Sequence, residues 1–312
     1  MGIFATTFTA VATLLIIGIL GFWLLSRRVI AGTILGALTV LSIDIALPSL
    51  TFTGIVSGFD PGTQSFWWTL PLWWIGFTLV ALAMTVAFSW VSRREFRREF
   101  RAALFFQNGI FFPLAIITEM FGGSSPLLIN LFLFTLFYPA FFFNVSPLFF
   151  NRGMRHDLSK VFNPVLIATA AAVIITLLDL KAYLPEFLVS GLKLVGGMTV
   201  PLLMIVLGGN IFLDLRASGA VHYGEALKFV CVKNVLFPAI ALGALLLLRP
   251  PYEIALIVML QSAVPPVTAI PIITEREGGD RNIVNQYMVA SFLFSLTSLP
   301  AVIMVFSWFF GP

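Results

Sequence analysis

The chain has 312 residues, 59% of them hydrophobic and only 10% charged, with a formal net charge of +4. Soluble domains carry about a quarter charged residues, so this composition excludes a soluble globular protein and names the bilayer as solvent. The positive balance is not a nucleic-acid signal, because most basic residues sit in short loops between apolar runs.

Ten apolar runs follow one another, at about 3–25, 29–50, 66–91, 102–121, 127–150, 165–180, 188–212, 226–248, 254–273 and 283–309. Each is expected to be helical, since hydrocarbon offers no partner to an open backbone. The N-terminal MGIFATTFTA has no basic flank, and Arg27-Arg28 follow the first run, so it reads as an uncleaved first span. The loops after odd-numbered spans hold thirteen basic residues, among them Arg93, Arg94, Arg152, Arg155, Lys160 and Arg216; the other side holds only Lys181 and Arg249. The positive-inside rule then places those basic loops in the cytoplasm and both termini outside. Trp67, Trp68, Trp73, Trp74 and Trp308 are expected at the outer interface. The run 93-RREFRREFR-101 reads either as a site for an anionic lipid or regulator, or as an interfacial extension of the third span with snorkelling arginines.

The two halves repeat. A shift of 153 residues lays Pro48 on Pro201, Pro113 on Pro266, Pro147 on Pro300 and Asn108 on Gln261. Five spans per half is an odd number, so the second half would insert upside down, the construction of many secondary transporters. The expected fold is an all-α polytopic membrane protein of ten transmembrane helices in two inverted five-helix repeats, with helices 4 and 9 broken. Such carriers bind substrate where Gly/Pro-interrupted helices of the two halves meet. Here those are 105-FFQNGIFFPLAI-116 and 258-VMLQSAVPPVTAIP-271.

Proline removes a donor and clashes with the carbonyl one turn back, so the ladder is expected to break at Pro113 and at Pro265-Pro266. Each following half-helix would offer free N–H groups and a positive dipole end to an anion. Gln107, Asn108 and Gln261 would hold a carboxylate without burying a second charge, with Ser262 and Thr268 assisting. Ionisable groups inside spans come next: Asp44 as an ion or proton site, and Lys233 as an attraction for the anion. Lys193 and Glu119 read as span-end residues. Asn144, Ser291 and Ser295 are candidate lining residues. No metal cluster or nucleotide-binding loop occurs, and the single Cys231 allows no internal disulfide. No enzyme activity is expected, and no cofactor beyond a coupling proton or sodium ion.

With these residues in hand the chain resembles the auxin efflux carrier family, within the bile/arsenite/riboflavin transporter-like superfamily. The likeness is carried by 107-QNGIFFPLAI-116, 198-MTVPLLMIVLGGNIF-212, 233-KNVLFPAIAL-242 and 261-QSAVPPVTAI-270, in that order. The resemblance implies crossover helices at spans four and nine, elevator-type alternating access and a homodimer. It assigns residues 1–58 and 161–215 to a scaffold, and 59–160 and 216–312 to a moving transport unit. Substrates would be small organic anions. The chain has Val267-Thr268 where the family often has Asn after the span-nine proline, and its central loop, about 151–163, is short, as in a bacterial-type member. The expected function is that of a plasma-membrane carrier for a small carboxylate-bearing organic anion. A sodium- or proton-coupled symporter or exchanger is the alternative, and a non-transporting membrane sensor the distant third.

Overall fold

The computed structural model describes residues 2–62, 64, 66–123, 125–150, 163–217 and 221–311. Every one of the ten apolar runs carries helix, and among the described residues there is no strand. The central loop at 151–163, with Arg152, Arg155 and Lys160, lies outside the described residues except for Asn163. Six stretches are long and apolar enough to cross a membrane, and four shorter apolar helices join them. The chain is therefore a multi-pass, all-helical membrane protein.

In chain order the helices are α1 (Ile3–Ser26), α2 (Ile34–Gly58), α3 (Trp67–Val91), α4 (Arg97–Phe105), α5 (Phe111–Phe121), α6 (Pro126–Phe134) and α7 (Tyr138–Val145). They continue as α8 (Pro164–Leu177), α9 (Glu186–Gly197), α10 (Thr199–Ala217), α11 (Tyr223–Leu248), α12 (Tyr252–Ala263), α13 (Ile270–Arg276) and α14 (Arg281–Phe309). Polar caps mark the starts that sequence chemistry favours. Ser125 accepts from the Leu127 N–H, Asn163 from Leu166, and Asp280 from Asn282 and Ile283. Pro126 and Pro164 follow their caps in the first turn, where no donor is missed.

Two helices contain a wide π-turn, Leu41–Ala46 in α2 and Cys231–Leu236 in α11. Each precedes a proline, Pro48 and Pro238, whose ring would strike the carbonyl four residues back. Those carbonyls belong to Asp44 and Asn234. The extra residue in the turn removes the clash, so proline placement explains why these ionisable and amide residues sit at an irregularity. Such bulges recur at functional sites.

Packing divides the helices. α1 lies against α10, and α2 against α8, α9 and α10. The other group joins α3 to α4 and α6, and α12 to α6, α11 and α14. α1 also touches α5 and α14, linking the groups. In α6 the residues from Leu127 to Phe134 are all buried, as are those from Ile254 to Ala263 in α12. Helices apolar on all sides belong in such interior positions. The α1–α10 seam is set by glycine: a Cβ at Gly208 would overlap the Gly18 carbonyl, and one at Gly21 would overlap the Ile205 backbone. Helix association in lipid relies on such close backbone approach.

Trp68 and Trp308 are well exposed, but Trp74 is only 6% exposed and packs edge-on to Phe141 at 5.3 Å between ring centres. It is a core residue, because its side of α3 faces the helical interior rather than lipid.

At one end of the second group, buried carboxylates tie helices together. Glu225 accepts from the Ser92 hydroxyl at 2.8 Å and pairs with Lys228 at 2.9 Å. Glu99 accepts from the Asp280 N–H at 3.2 Å, joining α4 to the start of α14.

Candidate functional site

Helix α4 stops at Phe105 and α5 begins at Phe111; α12 stops at Ala263 and α13 begins at Ile270. The intervening stretches are extended and lie side by side. The Asn108 N–H donates to the Pro265 carbonyl at 2.8 Å, and the Val267 N–H donates to the Phe106 carbonyl at 2.9 Å. Gln107 and Pro266 form an isolated antiparallel bridge between them. The two segments thus satisfy each other's main-chain groups in a buried position, where open backbone would be costly.

This geometry alters two expectations. The first interruption covers 106–110, and Pro113 stands in the first turn of α5. Its missing N–H would have had no helical partner there, so the proline starts the new helix instead of breaking the old one. The register also shifts. The two bonds interconvert under an offset of 159 residues, which takes Asn108 to Val267 and Phe106 to Pro265, and brings the α5 start, Phe111, onto the α13 start, Ile270. The proline coincidences at 153 lie half a dozen residues from that register. Both half-helices end at a glycine in the left-handed region, Gly122 at φ 86° and Gly278 at φ 77°.

The side chains gathered here are mostly those singled out in the sequence. Asn108 is 1% exposed, and both its amide nitrogen and its amide oxygen lack a hydrogen-bond partner. Gln107 is buried with its Oε1 unpartnered. Gln261 is engaged: its Nε2 donates to the Gly109 carbonyl at 2.6 Å. A Cβ on Gly109 would overlap the Gln261 amide, so a larger residue there would displace that side chain from its hydrogen bond. Gln261 therefore braces the interruption, and Asn108 is the amide left free. Pro265 and Pro266 form the second extended segment. Ser262 turns its hydroxyl back to the Met259 carbonyl at 2.7 Å.

Lys233 is fully buried; its Nζ donates to the Ser262 carbonyl at 3.3 Å and lies 4.9 Å from the Phe237 ring centre. It sits at the negative end of the α12 dipole, where a cation is stabilised. Its neighbour Asn234 exchanges hydrogen bonds with Ser291, accepting from the Ser291 hydroxyl at 2.7 Å and donating to the Ser291 carbonyl at 3.3 Å. Ser291 thus joins α11 to α14. Ser295 and Asn144 bond carbonyls of their own helices, at Phe292 and Ala140. No described contact joins Asn144 to the interruptions.

Asp44 is near. A cavity of about 130 Å³ lies between the π-turn of α2 and the two interruptions, lined by Asp44, Ile110, Phe111, Tyr138, Val267 and Thr268 among others. Asp44 is exposed into it and makes no hydrogen bond or ion pair among the described residues. Asn108 itself does not line this cavity, although Ile110 on the same interruption does. Lys193 and Glu119 lie elsewhere, both exposed.

Two residues have roles that the sequence reading did not assign. Tyr138, at the start of α7, donates its hydroxyl to the Gln107 carbonyl at 2.5 Å. Gly109 provides the carbonyl that Gln261 grips. A lone phenol in a Phe-rich run, 136-LFYPAFFF-143, was the available signal for the first; the glycine inside QNG was the signal for the second.

A family model described as a membrane transport protein matches residues 148–303, which hold α8 to α13 and most of α14. No curated protein matches the chain.

Proposed function

This chain belongs to the membrane transport protein family, which is auxin efflux carrier-like, and on that premise we propose that it is a secondary carrier for a small carboxylate-bearing organic anion. The observation that carries the reading is Asn108: a buried amide with neither atom satisfied, at the meeting of two interrupted helices. Leaving a buried polar group unpaired costs about 1–3 kcal/mol, a cost tolerated where a ligand satisfies it during the working cycle. The first-turn N–H groups of α5 and the Asn108 amide would take the carboxylate, with Lys233 supplying positive potential behind α12.

The reading extends to ten crossings in two inverted repeats, with α4–α5 and α12–α13 as the fourth and ninth. Support comes from the two main-chain bonds that interconvert under the 159-residue offset. Residues 1–58 and 161–215 would form a scaffold, and 59–160 and 216–312 a moving unit, in an elevator-type cycle; the packing of α1 on α10 and of α2 on α8, α9 and α10 fits the scaffold part of this division. The scaffold would pair two copies in the plasma membrane, with both termini outside. The cavity beside Asp44 is well below the 300–1,000 Å³ or so of drug-sized sites, which favours a small solute.

In proteoliposomes, purified protein should exchange labelled small carboxylates for unlabelled ones, and Gln261→Ala should lower the rate several-fold by loosening the interruption. Tight ligand binding without any flux across a panel of organic acids would instead identify a sensor.

A coupled form of the same reading rests on Asp44, an unpaired carboxylate facing the cavity from the bilayer interior. Asp44→Asn should abolish any response of flux to an imposed pH or sodium gradient. A response retained in the variant assigns coupling to another group.

A further inference from the structure

A second groove lies far from the interruptions in its chemistry. It has a volume of about 610 Å³ and is walled by α3, α4 and the end of the α7 region. Its floor is apolar, with Leu79, Leu82 and Val86 on one stripe of α3, all exposed, and Leu148 opposite. One end carries Arg98 and Arg101, three apart and so on one face of α4. Among the described residues, neither arginine has an ion-pair partner, no carboxylate lines the groove, and the buried Nε of Arg101 has no acceptor. Thr85, 1% exposed, also lines it with an unpartnered hydroxyl. Close by along the chain, Trp90 is exposed and holds the Arg97 guanidinium 4.3 Å from its ring centre. That pairing of ring and cation marks the headgroup level of a membrane.

We infer that this groove is a binding site for one anionic phospholipid. The phosphodiester sits between Arg98 and Arg101, and an acyl chain lies along the α3 stripe. Guanidinium groups match phosphate oxygens in pairs, which an amine-bearing surface does not. The stripe from Leu79 to Val86 rises about 10 Å along the helix, enough to hold much of an acyl chain. A free phosphate would satisfy the arginines and leave that stripe without a partner, so the charge and the apolar floor together specify a lipid. The same residues divide 93-RREFRREFR-101: Arg98 and Arg101 form the walled site, Arg93 lies 3.7 Å from Glu225, and Arg97 stacks on Trp90.

The test uses the full chain in neutral detergent, with thermal unfolding and native mass spectrometry as readouts. Phosphatidylglycerol should raise the melting temperature by several degrees more than phosphatidylcholine does and should remain bound as one molecule per chain. Arg98→Gln with Arg101→Gln should remove the difference, and Leu82→Trp, which fills the groove and keeps both arginines, should do the same. Arg94→Gln, an exposed arginine that does not line the groove, should keep the difference intact. The proposal is overturned if inorganic phosphate reproduces the shift. It is overturned equally if the double variant still retains phosphatidylglycerol, or if Arg94→Gln lowers retention as much as the double variant.

Discussion

Replacing Asn108 by alanine is expected to cut organic-acid flux in proteoliposomes by tenfold or more while leaving the melting temperature unchanged or higher. The two effects separate because the side chain makes no hydrogen bond in the folded protein. Removing it deletes a buried, unsatisfied amide, so folding loses nothing and recovers part of a cost of about 1–3 kcal/mol. Binding, by contrast, loses a hydrogen bond to a charged group, about 1.5–3 kcal/mol, and every 1.4 kcal/mol or so is a factor of ten. The Asn108 N–H that grips Pro265 is main chain and survives the substitution. Unaltered flux would remove Asn108 from the site. A melting temperature lower by several degrees would mean that the amide is structural.

Gly208→Ala is expected to abolish recovery of folded protein, or to lower its melting temperature by ten degrees or more. The added methyl would occupy the place of the Gly18 carbonyl on α1, and neither backbone can yield without parting the α1–α10 seam. Overpacking a core costs about 1–3 kcal/mol when side chains can adjust, and more when the obstacle is backbone. Gly36→Ala in α2 provides the control, because a Cβ there meets nothing within 4 Å. It should be neutral or slightly stabilising, since alanine is the better helix former. Detergent-extracted yield by size exclusion, followed by thermal unfolding, distinguishes the two. Equal behaviour of both variants would show that the seam is looser than its geometry implies.

Much of the site was legible before any coordinates. Amides and prolines in otherwise lipid-soluble runs are expensive, and that expense pointed to 105–116 and 258–271. What misled was the assumption that a helix breaks where its proline stands. Pro113 is in a first turn, where its defect is harmless, so the interruption lies just upstream. The offset of the joint differs for a related reason. Proline coincidences give 153, whereas the two main-chain bonds of the joint interconvert at 159, and every residue type possesses such donors and acceptors. Sequence cannot mark such bonds. Nor could it show that Gln261 is committed to Gly109 while Asn108 is not, because both are amides in apolar surroundings and only the fold decides which finds a partner.

The joint between the two interrupted helices consists of peptide groups. Its geometry is therefore indifferent to most side chains at 106–108 and 265–267. A lineage can exchange Asn108 or Val267 for other residues without rebuilding the frame that holds them. On the proposed function, cargo preference can change over an unaltered main-chain joint, and two proteins sharing this joint need not share a solute.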